Sequence, residues 1–91
     1  MNADNETDQD VDYEQTGGGG GGGGLKEETD PCSGSLTRRG TPGSSKSFVP
    51  CGRPDWIVVF SAPGHDPVSS EGFSDPHAKV TLNEDWTVTV T

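Results

Sequence analysis

Eight consecutive glycines, Gly17 to Gly24, set the first limit on what this chain can fold into. Ordering glycine costs more backbone entropy than ordering any other residue, and no side chain is there to be buried in return. The tract is read as a flexible polyglycine linker. It lacks the Lys-Ser/Thr ending of a phosphate-binding loop.

The apolar residues lie unevenly on either side of the tract. Leu, Ile, Val and Phe together number 15 of 91 residues, and ten of them follow Trp56. A chain this poor in them, with a net charge of −9, falls in the composition range of intrinsically disordered sequences. Residues 1–16 alternate acids with Asn, Gln and Thr around Val11 and Tyr13, and are read as an acidic disordered tail. Residues 25–54 hold prolines, glycines and serines with Arg38, Arg39, Lys46 and Arg53, and are read as a disordered basic linker. The expected fold is a mostly disordered N-terminal half followed by a small all-β segment at 55–91. That segment is expected to be a two- to three-stranded antiparallel sheet containing a hairpin at 77–91.

Two stretches carry the strand expectation. Trp56-Ile57-Val58-Val59-Phe60 is a short apolar run between turn residues and reads as a strand buried on both faces. Residues 61–76, with Pro63-Gly64, Asp66-Pro67 and Asp75-Pro76, read as a long turn-rich loop from which Phe73 returns to the core. In His77 to Thr91, apolar and polar residues alternate on both sides of Asn83-Glu84-Asp85. A loop made of those three residues sets Leu82 opposite Trp86, Val80 opposite Val88 and Ala78 opposite Val90, all on one face.

The residues able to do chemistry are few. Cys32 and Cys51 are expected as free thiols, because an acidic N-terminus without a basic-then-apolar signal points to an intracellular chain. A bridge between them is the alternative, with a loop-closure gain on the order of 3 kcal/mol. A zinc site of Cys32, Cys51, His65 and His77 is a further one, although neither pair has close ligand spacing. His65 and His77 stand beside carboxylates, and Ser61, Ser69, Ser70, Ser74 or Cys51 can be named as nucleophiles, but adjacency in sequence is not geometry. Trp56 and Trp86 are read as core residues rather than stacking platforms. Arg38-Arg39-Gly40-Thr41-Pro42 has the form of a kinase site with Thr41 as acceptor.

Function is therefore expected to be non-enzymatic, with no cofactor, no small-molecule substrate and no membrane span. Direct nucleic-acid binding is disfavoured by charge, since few cations face many acids. The order of acidic tail, glycine tract, basic linker and β segment is common to small viral accessory or structural proteins and carries no residue assignments. The leading expectation is an interaction or assembly protein using the edge of the last strand, at Trp86, Val88 and Val90, to bind a protein partner or itself. The zinc domain, and a recently arisen chain with no settled function, are the alternatives. Nothing in Trp86 to Thr91 is charged, proline or an obvious bulge, the usual protections of an edge strand.

Overall fold

The structure, a computed structural model, describes residues 1–17 and 33–91. The described residues form eight strands: β1 Asn2–Asn5, β2 Val11–Gly17, β3 Ser33–Leu36, β4 Ser45–Ser47, β5 Trp56–Ala62, β6 His65–Ser69, β7 Lys79–Leu82 and β8 Val88–Val90. They form two four-stranded sheets, ordered β4-β1-β7-β8 and β3-β2-β5-β6. Ala3, Val80 and Leu82 of the first sheet share one core cluster with Val11, Tyr13, Leu36, Val58 and Phe60 of the second. The sheets thus face each other as a β-sandwich.

The disordered N-terminal half is corrected by this architecture. β1 lies between β4 and β7, antiparallel to the first and parallel to the second. β2 lies between β3 and β5, antiparallel to both. Both are interior strands, so the segment read as a tail fills the middle of each sheet. The linker region also contributes β3 and β4. Gly17 ends β2, while the rest of the expected polyglycine linker lies outside the described residues.

The N-terminal strands escape a reading by hydrophobicity because amides stand at inward positions. In β2, Val11, Tyr13 and Gln15 are buried and Asp12, Glu14 and Thr16 are exposed, a strand period with glutamine as its third inward residue. The Gln15 side chain is satisfied by one residue: Nε2 donates to the Cys51 carbonyl at 2.9 Å, and Oε1 accepts from the Cys51 amide at 2.6 Å. Asn5, fully buried at the end of β1, donates through Nδ2 to the carbonyls of Gln9 (2.9 Å) and Thr37 (3.0 Å). Its Oδ1 accepts from the Thr7 amide (2.9 Å) and hydroxyl (2.7 Å). A buried amide with its hydrogen bonds made is tolerated where an unpaired one is not.

The C-terminal half differs from expectation in three ways. Trp56, Val58 and Phe60 are buried, but Ile57 is exposed and Val59 partly so, which makes β5 a one-faced strand. Its outer face is open because the sandwich covers only one side of each sheet. Residues 61–69 are mostly a hairpin, not a long loop: β5 turns through Pro63-Gly64, with Gly64 at φ 85°, into antiparallel β6. Phe73 does return, exchanging backbone hydrogen bonds with Trp56 (2.7 and 3.0 Å) and meeting its ring edge-on at 6.2 Å. The third difference is that β5 belongs to the sheet opposite the C-terminal hairpin.

That hairpin is present, with its register moved by two residues. Leu82 faces Val88, Thr81 faces Thr89 and Val80 faces Val90. The Asn83 amide donates to the Thr87 carbonyl at 2.8 Å, so the three-residue loop is Glu84-Asp85-Trp86, one step later than expected. Trp86 takes a left-handed backbone conformation, φ 66°, the position usually given to glycine after a type I turn. A two-residue shift leaves every side chain on the same face, so burial does not distinguish the two registers.

Candidate functional site

Strand directions place four connections at one end of the sandwich: 6–10 between β1 and β2, 37–44 between β3 and β4, Pro63-Gly64 between β5 and β6, and 83–87 between β7 and β8. They are tied to one another. Gln9 Nε2 donates to the Pro63 carbonyl at 3.0 Å, the Arg39 amide donates to the Thr7 carbonyl at 2.8 Å, and the Arg38 amide donates to Asp10 Oδ1 at 3.0 Å. Arg39 Nη1 pairs with Glu84 Oε1 at 2.9 Å. Both side chains are half or more exposed, so the pair contributes little beyond orientation. Across the sheets, the His65 ring stacks on Trp86 with centroids 3.7 Å apart and planes at 10°. Sequence reasoning had no signal for that contact, because the two residues belong to different sheets.

These ties fix the start of β8. The Thr87 hydroxyl donates to Asp85 Oδ1 at 2.6 Å, and the Thr87 amide reaches the same oxygen at 3.2 Å. The hydroxyl hydrogen bond is the main reason the Asp85 carboxyl sits below its usual pKa. Asn83 Nδ2 bridges the hydroxyls of Thr87 (3.1 Å) and Thr89 (2.8 Å), locking the outward threonine row. Trp86, Val88 and Val90 pack half-buried against the core.

Among the described residues β8 pairs with β7 alone, so its far side is an open edge. In an antiparallel ladder alternate residues direct both backbone groups to the same neighbour. Thr91 exchanges hydrogen bonds with Lys79, both at 2.9 Å, and Thr89 faces Thr81. The amides and carbonyls of Val88 and Val90 therefore point away from the sheet. The other edge of this sheet, β4, is protected by exposed Lys46, and β6 at the edge of the second sheet contains Pro67. β8 has neither device.

Among the described residues, the other named side chains are not brought together into one site. Cys51 is disulfide-bonded, which corrects the free-thiol expectation. Cys32, the only other cysteine of the chain, lies outside the described residues. A disulfide sulfur is not a thiolate ligand, so this state of Cys51 cannot join His65 and His77 on zinc. No group of three or more possible metal ligands occurs among the described residues. His77 is exposed, and its amide donates to Asp75 Oδ1 at 2.8 Å. Ser70 is buried with its hydroxyl engaged, accepting from the Val58 amide (3.0 Å) and donating to the Glu71 carbonyl (2.9 Å). Ser61 lies half-buried on the outer face of β5, while Ser69 and Ser74 are exposed. No hydrogen bond joins either imidazole to a serine among the described residues. Trp56 is a core residue, as expected, and its indole N–H donates to the Gly52 carbonyl at 3.1 Å.

Thr41 sits in the tight 37–44 turn, with its hydroxyl donating to the Arg38 carbonyl at 2.5 Å and its amide also bonded there. On the outer face of the second sheet, Asp12, Glu14, Ser33 and Ser35 line a shallow depression of about 460 Å³. The Ser35 hydroxyl there donates to Asp12 at 2.9 Å. Just past β1, the Glu6 carboxyl is raised in pKa, first by a hydrogen bond to Asp4 and then by the charge of Asp4. Comparison with protein-family models, curated proteins and solved structures finds no match for this chain.

Proposed function

We propose that the chain is a non-enzymatic interaction module that docks by adding a strand of another chain to the open edge of β8. The observation that carries this reading is the pair of outward-facing backbone groups at Val88 and Val90, on an edge without charge, proline or bulge. Backbone hydrogen bonding along such an edge supplies affinity, and alternate side chains supply selectivity. The half-buried Val88 and Val90 side chains give the incoming strand an apolar margin on the core side. Anchoring of the β7–β8 turn by Asn83, Asp85 and the Trp86–His65 stack keeps the edge in place before binding, which lowers the cost of ordering it.

The surrounding acid acts as a selector. With a net charge of −9 the molecule repels other acidic surfaces at long range, so docking depends on close backbone pairing and not on charge attraction. Bonded Cys51 favours a compartment that keeps disulfides oxidised over the intracellular one expected from the acidic N-terminus. No helix among the described residues is long and apolar enough to cross a membrane.

Thr89 offers the cleanest test, because its exposed side chain lies on the outer face and points neither into the core nor along the ladder. Thr89→Lys places a charge on the docking strand and removes one hydrogen bond from Asn83. Association measured by sedimentation should weaken by about tenfold or more, equivalent to about 1.4 kcal/mol, while the melting temperature moves by no more than a few degrees. Unchanged association in the variant contradicts the reading.

A further inference from the structure

Resting on that reading of β8, we infer that the strand added to the edge is β8 of a second copy, paired antiparallel about a two-fold axis through Thr89. The segment Thr87-Val88-Thr89-Val90-Thr91 reads the same in both directions. Centred on Thr89, antiparallel pairing sets Thr87 against Thr91 of the other copy, Val88 against Val90 and Thr89 against itself. Like β-branched residues meet at every position, a favourable cross-strand arrangement, and no charged residue faces another.

The hydrogen bonds fall in register with this symmetry. The outward groups belong to Val88 and Val90, which in this alignment face each other. Each Val88–Val90 pair exchanges both backbone bonds, so the two pairs close four bonds across the axis. A register displaced by one residue sets Val88 against Thr89 or Thr91, where the inward-directed threonine groups have nothing to offer. The symmetric alignment also leaves Glu84 and Asp85 in the turn, before the paired segment begins, so the acidic loops do not oppose each other on the axis. The product is a continuous eight-stranded sheet, β4-β1-β7-β8 followed by its two-fold copy, of the isologous type that closes at a dimer. Because the contact is short and both copies carry a charge of −9, added salt should strengthen it by screening their repulsion, opposite to a complex held by opposite charges.

Variants with one added cysteine test the axis directly. Residues facing each other between hydrogen-bonded pairs have Cα atoms about 4.5 Å apart, within the disulfide range of about 4.4–6.8 Å. Thr89→Cys incubated with oxidised glutathione should therefore give a covalent dimer on non-reducing gels, at least tenfold faster than Thr87→Cys or Thr91→Cys alone. An equal mixture of Thr87→Cys and Thr91→Cys should cross-link as a heterodimer. The unmodified chain should sediment as a reversible dimer, more so at high salt. Equal cross-linking at all three positions, or a chain that stays monomeric at high concentration and high salt, overturns the second-copy inference. In that event, a synthetic peptide of the residue 86–91 sequence separates the two ideas. Protection of the Val88 and Val90 amides by the peptide leaves strand addition standing with a different partner, and its failure to bind removes both.

Discussion

Replacing Ala3 by aspartate should unfold the entire chain. Ala3 is fully buried in β1, where it pairs with Lys46 of β4 and Val80 of β7, and its side chain lies in the cluster shared by both sheets. A carboxylate there has apolar neighbours, and an uncompensated buried charge costs several kcal/mol. A domain of this size has a total stability of roughly 5–14 kcal/mol. Far-UV and near-UV circular dichroism should show the loss of a cooperative melt in Ala3→Asp. Asn2→Asp, one position away on the exposed side, should melt almost as the parent does. If residues 1–16 were a tail, neither substitution would matter.

Phe60→Ala is the second large effect. Phe60 is the largest fully buried side chain, at the centre of β5, with Tyr13 opposite it on β2 and Val68 on β6. Truncating a buried phenylalanine to alanine leaves a cavity and costs about 3–5 kcal/mol. For a domain of this length that corresponds to a fall in melting temperature on the order of 20 °C. Val49→Ala, at a position 79% exposed, should leave the melt within error of the parent. Equal effects at the two positions would mean that the sheets do not enclose the core described above.

β7 and β8 were legible because apolar residues alternate in them, Val80 and Leu82 on one and Val88 and Val90 on the other, and β5 because it is a continuous apolar run; β6, with Pro67 and one valine, was read as loop. β1 and β2 were hidden by Asn5 and Gln15, whose inward amides look like surface residues until their backbone partners at residues 7, 9, 37 and 51 are placed. Thr37 and Cys51 are 32 and 36 residues away from the amides they meet, so no local window contains the full reason for burial. The hairpin register was missed because Trp86, whose ring stacks on His65 of the other sheet, adopts a conformation that its residue type disfavours. The assignment of β5 to the opposite sheet is likewise a long-range fact, set by pairing with β2 across the undescribed segment.

Of the candidate edge, the composition was legible and the geometry was not. The run of alternating Val and Thr shows in the sequence that this strand carries no charge or proline, and the structure puts β8 at the end of its sheet. What the sequence pattern leaves open is which backbone groups face outward. That depends on the register, and the register depends on where the turn begins. The loop end that anchors β8 was not legible, because Gln9, Arg39, Glu84 and Trp86 come from three different connections and His65 from the start of β6.

Amide hydrogen exchange along β8, measured across a range of protein concentrations, tests the pairing of this edge with a second copy most directly. In dilute solution Thr89 and Thr91 should be protected by their bonds to β7, while Val88 and Val90 exchange at nearly solvent rates. As concentration rises, Val88 and Val90 should become protected together, with the same midpoint as the change in sedimentation. Fast exchange at Val88 and Val90 at every concentration, in a chain whose Thr89 and Thr91 amides remain protected, would contradict it.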